Sequence, residues 1–256
     1  MLESYWQELA ATLSPADWGL FLLSGFLIGA AKAGIKGMGM FIVPVMAAVF
    51  GGKPSTGIVL PLLVIADAFA VAYYNRHAEW SYVKRLIPAA AIGVLLGVGV
   101  GRYLNNDLFT DLLAIIILVS LSLMIVLERR PLRTDRMQGW WVTSIFGLLG
   151  GFFTMIGNAG GPIMAVYLLA TRIPKYAFIG TAAWFFMLIN WFKVPFHVWV
   201  WHTIDGPSLV LSVSSLPAIA LGIWTGIKIV DRIPEKAFRY FVLIMTSIVA
   251  LRLLLA

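Results

Sequence analysis

The sequence predicts an all-α polytopic membrane protein made of two inverted-topology repeats, each a broken or re-entrant helix pair followed by three transmembrane helices. Three observations predict this: the composition, a run of apolar stretches of bilayer length broken twice by glycine, and the placement of the basic residues. Of 256 residues, 61% are hydrophobic and 12% charged, and the mean hydropathy is +0.91. A soluble domain is about 45–50% apolar and about 25% charged, so there are too few charges here to cover a water-facing surface. Disorder is excluded because apolar residues abound. The net charge of +7 would suggest nucleic acid in a soluble chain; here it reads as basic loops on the cytoplasmic side of a membrane, and no nucleic-acid partner is expected. Cysteine is absent, which excludes disulfides, thiolate metal sites and Cys nucleophiles.

Met1 to Trp18 holds Glu3, Glu8 and Asp17 and no Lys or Arg, unlike the basic start of a secretory signal. Ser14-Pro15-Ala16-Asp17 reads as a helix start: a hydroxyl cap, a proline at the first helical position, and an acid at the positive helix end. Apolar stretches follow at 18–33, 38–50, 56–75, 86–103, 108–127, 139–156, 160–171, 176–196, 207–227 and 235–255. A hydrocarbon core of about 30 Å needs about 20 helical residues, and most stretches reach that length. The pairs 18–33 with 38–50 and 139–156 with 160–171 do not. Each is split by glycine, at Gly34-Ile35-Lys36-Gly37-Met38-Gly39 and Gly157-Asn158-Ala159-Gly160-Gly161-Pro162, the pattern of a broken helix or a re-entrant hairpin.

The halves resemble each other. At an offset of 123 residues Gly34 falls on Gly157, Gly37 on Gly160, Gly57 on Gly180 and Asp67 on Asn190; after a two-residue shift Gly97 falls on Gly222 and Gly101 on Gly226. If each broken pair enters and leaves on one side, the segments 76–85, 129–136, 172–175 and 228–239 share a face and carry 13 of the 19 basic residues. By the positive-inside rule that face is cytoplasmic. The expected organisation is an extracytoplasmic segment 1–17, a first repeat 18–127, a cytoplasmic basic linker 128–138 and a second repeat 139–256. An odd number of crossings per repeat inverts the second copy, a plan used by secondary transporters with a site near the midplane. Trp80, Trp140, Trp141, Trp199 and Trp201 fall at span ends, where interfacial anchors belong.

Lys32 and Lys36 flank the first break, at a depth where an uncompensated cation costs several kcal/mol. The half-helices starting near Met38 and Gly160 aim their N-termini at the breaks from opposite sides, and free N–H groups at such an end bind anions. An anionic substrate follows, with interfacial snorkelling as the alternative reading of either lysine. Asp67, mid-span, must pair with a cation or take up a proton; pairing with Lys32 or Lys36 would couple proton movement to anion release. Asn190 reads equally as Asp67's functional counterpart or as a structural hydrogen bond. Lys193, near its span end beside Pro195, reads as snorkelling. Gly93, Gly97, Gly99 and Gly101 read as close helix packing. His77, His197 and His202 lack ligand spacing, so no metal is expected. Without a Walker motif, GxSxG elbow or HExxH, no enzyme, catalytic residue or cofactor is expected.

At these residues the chain resembles the sulfite exporter TauE/SafE family, also called the toluene sulfonate uptake permease family. The resembling segments are Gly29-Ala30-Ala31-Lys32-Ala33-Gly34-Ile35-Lys36-Gly37 and Leu60-Pro61-Leu62-Leu63-Val64-Ile65-Ala66-Asp67, then Asn158-Ala159-Gly160-Gly161-Pro162-Ile163-Met164-Ala165-Val166-Tyr167-Leu168-Leu169, and Gly180-Thr181-Ala182-Ala183-Trp184-Phe185-Phe186 followed by Lys193-Val194-Pro195-Phe196. The resemblance implies a multi-pass transporter of the bacterial plasma membrane, usually an exporter, for sulfite, sulfonates or related small anions. It also raises the standing of Lys32, Asp67, Asn158 and Lys193. Many members carry a glycine run at the first break, which Lys36 and Met38 interrupt here; a narrower or more positive tip changes which anion fits.

The expectation is therefore alternating access, with coupling to protons through Asp67 as an option. The anion lies between the breaks against Lys32, Lys36, the amides of Gly37 to Gly39, Asn158, Gly160 and Gly161, with Asp67, Asn190 and Lys193 in support. Rival readings are a passive anion channel and an uptake permease for another small organic anion. The expected partners are the small anion and the lipid bilayer, with a homodimer left open.

Overall fold

The structure, a computed structural model, describes residues 13–35, 39–129, 139–232, 234 and 237. Lys36, Gly37 and Met38, most of the basic linker and, apart from residue 237, the last apolar stretch at 235–255 lie outside the described residues. The elements are helices α1 (Pro15–Lys32), α2 (Gly39–Phe50), α3 (Gly52–Tyr74), α4 (Trp80–Tyr103), α5 (Asn106–Arg129), α6 (Trp140–Gly157), α7 (Gly160–Ala170), α8 (Lys175–Trp199), α9 (Gly206–Ser214) and α10 (Leu216–Arg232), with a 3₁₀ turn Asn75–His77 after α3. No strand occurs among the described residues. A helix satisfies its backbone hydrogen bonds within itself, which is what apolar surroundings demand.

Among the described residues, four helical stretches are long and apolar enough to cross a membrane: Gly52–His77, Trp80–Tyr103, Trp140–Gly157 and Lys175–Trp199. A fifth is α9 with α10, taken as one span bent by 45°. The chain is a multi-pass membrane protein. α7, with 11 residues, covers only about 16 Å at 1.5 Å per residue.

α1 starts as its sequence requires. Asp17 N–H donates to Ser14 Oγ at 3.2 Å and Ser14 N–H donates to Asp17 Oδ2 at 3.0 Å, closing a capping box with Pro15 at the first helical position. Two expectations need correction. The stretch 207–227 is not one straight helix: it bends at Ser215, because Pro217 has no N–H and its ring displaces the carbonyl four residues back. Trp201 is not an interfacial anchor. It is 6% exposed, and its Nε1–H donates to Val98 O at 3.2 Å. The chain after α8 folds back, with Trp201 N–H on Phe196 O at 2.8 Å, and carries the indole inward. Trp80, Trp140, Trp141 and Trp199 are exposed.

Three helix pairs organise the interior. α4 and α6 run parallel: Gly147 and Gly151 lie against the Leu86 and Ala90 carbonyls, while Gly93 lies against Leu148 O. α1 and α10 also run parallel, with Gly29 against Ile219 O and Gly222 against Phe26 O. At each of these contacts a Cβ would collide with backbone, so only glycine permits the approach. α3 and α8 run antiparallel between the two pairs, with Tyr74 beside Gly180, Asp67 beside Asn190, and Gly57 beside Thr203 just past the end of α8. The α1-to-α3 segment thus mirrors the α6-to-α8 segment in its packing partners, and the polar groups of the interior collect where α3 and α8 cross.

Candidate functional site

Both breaks are built by a left-handed residue that ends a helix. At the first, Gly34 has φ 118°, Gly34 N–H donates to Ala31 O at 3.2 Å and Ile35 N–H to Ala30 O at 3.1 Å. That is a Schellman ending, and the positive φ is why a glycine stands there. Tyr74, at the far end of α3, donates its hydroxyl to Ala33 O at 3.0 Å and ties the break to the span. At the second break Asn158 takes the left-handed position with φ 54°, its N–H on Thr154 O at 3.0 Å. Asparagine tolerates this conformation better than most residues, and its amide is then free to work between helices.

The break residues meet the spans in one buried polar cluster. Lys32, in the last turn of α1, pairs through Nζ with Asp67 Oδ1 at 2.6 Å, the two side chains being 11% and 0% exposed. Asn190 Nδ2 donates to the other Asp67 oxygen at 2.7 Å. Lys193 is 0% exposed and donates to Asn158 Oδ1 at 2.7 Å, Asn190 Oδ1 at 3.1 Å and Thr154 Oγ1 at 3.2 Å. Asn158 Nδ2 in turn donates to Thr56 O at 3.2 Å. A continuous hydrogen-bonded chain therefore runs from Lys32 through Asp67, Asn190, Lys193 and Asn158 back to α3.

The spacing on α8 explains how one helix supplies so much of this chain. Phe186, Asn190, Lys193 and His197 fall at i, i+4, i+7 and i+11, on one face, and that face is turned inward. Phe186 receives the Lys32 ammonium over its ring at 4.3 Å, and its edge is the neighbour a Cβ on Gly160 would meet at 3.4 Å. Phe186 thus sets Lys32 beside the start of α7.

That start is uncapped by any side chain: Ala159 is the N-cap residue and makes no side-chain hydrogen bond. The Gly160 and Gly161 N–H groups belong to the first turn, whose donors have no acceptor within the helix, and Pro162 contributes no donor. A Cβ on Gly161 would meet nothing within 4 Å, so there is open space beside the first turn of α7, at the positive end of the helix. Lys32 reaches the same neighbourhood with ammonium hydrogens beyond the one given to Asp67.

The cluster's charges do not cancel. Lys32 and Asp67 neutralise each other, whereas Lys193 bonds three neutral oxygens and no carboxylate. Counted as ammonium groups, the two lysines have one carboxylate between them, and Lys193 lies against Asn158 of the break that precedes α7.

Of the residues expected from sequence, the structure brings Lys32, Asp67, Asn158, Asn190, Lys193, Gly160 and Gly161 together. Gly39 begins α2, which touches α7; Lys36 and Gly37 lie outside the described residues. Lys193 does not snorkel. Because α8 continues beyond it to Trp199 and the chain then folds back, no route to water remains along its stem. Sequence reasoning gave no role to Thr154, Phe186 or the Thr56 carbonyl. Thr154 and Asn158 stand four apart, as do Phe186 and Asn190, a helical spacing that marks one face. No group of metal-binding side chains occurs among the described residues.

The family described as Sulfite exporter TauE/SafE matches residues 21–253, nearly the whole chain, and the chain belongs to that family. Neither a curated protein nor a solved structure matches it.

Proposed function

We propose, from the premise that this TauE/SafE family member is a membrane transporter of sulfite or related sulfur anions, that it works as a secondary transporter by alternating access. Its cargo is a small sulfur oxyanion or organosulfonate, bound at the start of α7. The observation that carries this reading is the surplus charge: two lysines share one carboxylate in a buried cluster that borders uncapped helix amides. A buried cation without a counter-charge is costly, and an anion against the Gly160 and Gly161 amides and Lys32 supplies it. Lys193 acts from behind through Asn158, holding the break residue in place and adding its field.

The packing supports an inverted repeat. α1 with α10 and α6 with α4 are corresponding parallel pairs, and α3 crosses α8 antiparallel, as two oppositely oriented copies would. In this reading the basic segments 76–85, 129–136, 172–175 and 228–239 face the cytoplasm of a bacterial inner membrane. One copy rocks against the other about the α3–α8 crossing, exposing the α7 amides to either side in turn.

The test is counterflow in proteoliposomes loaded with sulfite, sulfate, thiosulfate or sulfoacetate. A transporter gives saturable uptake of labelled anion driven by unlabelled anion inside. Conductance without counterflow identifies a passive channel and overturns the reading.

A further inference from the structure

His197 is a buried titratable group to which this mechanism assigns no task. It is 0% exposed, its Nδ1 shares a hydrogen bond with Thr203 Oγ1 at 2.8 Å, and its Nε2 has no partner. It stands one helical turn beyond Lys193 on the inward face of α8. The turn after α8 closes over it: Thr203 N–H donates to His197 O at 2.9 Å, and Thr203 packs on Gly57 of α3. The Trp201 ring lies 5.0 Å from the imidazole. Among the described residues, the charges acting on His197 are Lys193 from its own helix and Lys53 from α3. Lys53 is held in place by Gly101 O of α4 at 2.7 Å.

We propose that His197 is a proton-binding site linked to the anion site, so that a proton accompanies the transported anion. The inference rests on the anion site proposed above. In the tautomer that carries its hydrogen on Nδ1, directed at Thr203, the imidazole leaves a bare lone pair on Nε2. A proton from water adds to that lone pair without breaking the Thr203 bond, giving the imidazolium, and returns to water when the lone pair is restored.

Two things oppose this step in the closed state. The Nε2–H finds no acceptor, and a third positive charge joins Lys53 and Lys193. Opening of the turn admits water to Nε2, and an anion held at the start of α7 offsets the added charge. Proton and anion therefore favour each other's binding, as linkage requires of any two ligands with a shared coupling energy. Asp67 is less suited to the task, since Lys32 and Asn190 occupy its two oxygens, and a proton on either would displace one contact and remove the charge that answers Lys32.

The experiment uses the full chain in lipid nanodiscs with ¹⁵N-labelled histidine. There are three histidines in the sequence, and His77 and His202 are exposed, so H197Q assigns the third signal by its loss. The titration of that signal is followed with and without saturating sulfite and, separately, methanesulfonate, and the same preparation is assayed for exchange of each anion. The proposal expects the anion that exchanges to raise the proton affinity of His197 by about tenfold, the size of a charge–charge coupling across a protein interior. It also expects H197Q to lose the pH dependence of exchange. Exchange with an unmoved His197 titration overturns the proton link and leaves the transport reading standing. Absence of exchange with either of these anions and with all four named above overturns the transport reading, and an unmoved titration then removes the link as well.

Discussion

At the first break the lysine sits on the helix that enters it, and its partner, Asp67, sits on the following span. At the second break the arrangement is exchanged: Lys193 sits on the span, and Thr154 and Asn158 of the entering helix and the break receive it. The first half spends its lysine on a carboxylate and is electrically closed. The second half surrounds its lysine with neutral oxygens and leaves a charge to be answered. Asn190, at the position of Asp67 in the other half, bonds both Asp67 and Lys193, so the two arrangements share one amide. In the reading proposed above, the two breaks differ in emphasis: the Lys32–Asp67 pair joins helices and lends the anion an ammonium, and Lys193 adds the surplus field.

If this division is right, removing charge from the first half damages folding more than removing it from the second does, and damages transport less. The largest effect is expected for Asp67→Leu, which strips a nearly buried ammonium of its counter-charge and costs about 3–5 kcal/mol, read as thermal unfolding in detergent. Lys32→Met with Asp67→Leu, which removes both charges and leaves the surplus unchanged, recovers most of that stability. Lys193→Met removes the surplus itself. Anion exchange then falls by about 100-fold, the scale of one or two charge-assisted hydrogen bonds, and falls further than in the double variant. Equal losses of exchange in the two would show that the halves do not divide the work. Next in size is Phe186→Leu, which keeps the apolar bulk and removes the ring face beneath Lys32. A cation–π contact is worth about 0.5–2 kcal/mol, so the half-saturating anion concentration rises by about twofold to thirtyfold with little change in unfolding temperature.

The readings from sequence succeeded where a signal was local or periodic. Ser14 and Asp17 cap α1 because a capping box is a four-residue event, and the glycine breaks at Gly34 and Gly157 end helices where they interrupt apolar sequence. The repeat offset matched Asp67 to Asn190 without saying where either lay in the fold, and the two side chains touch. What escaped depended on the chain folding back on itself. Lys193 and Trp201 lie near the end of an apolar stretch, which in one dimension looks like the membrane surface. Only the return of Trp201 and Thr203 to the carbonyls of α8 turns that end into interior. Thr154 drew no reading and His197 only that of a histidine without ligand spacing, since a polar residue in an apolar helix acquires meaning from the helix opposite, which one dimension does not supply. A periodicity plot of polar residues along α8 would have shown Asn190, Lys193 and His197 on one face.

The finest test lies between two adjacent glycines at the start of α7. A Cβ on Gly160 would stand 2.8 Å from Gly150 O and 3.0 Å from Thr154 Cβ, so Gly160→Ala must push α7 away from α6. That strain costs about 1–3 kcal/mol and moves Thr154, an acceptor of Lys193. A Cβ on Gly161 meets nothing within 4 Å, so Gly161→Ala leaves folding intact or improves it by up to about 1 kcal/mol through the lower backbone entropy of alanine. Its methyl group enters the space that the anion is proposed to fill. Exchange in Gly161→Ala should therefore weaken for bulky sulfonates before it weakens for sulfite, with an unfolding temperature at or above that of the natural chain. If both anions exchange in Gly161→Ala as they do in the natural chain, the open space beside Gly161 is not where the anion sits, and the amides of α7 lose their place in the mechanism.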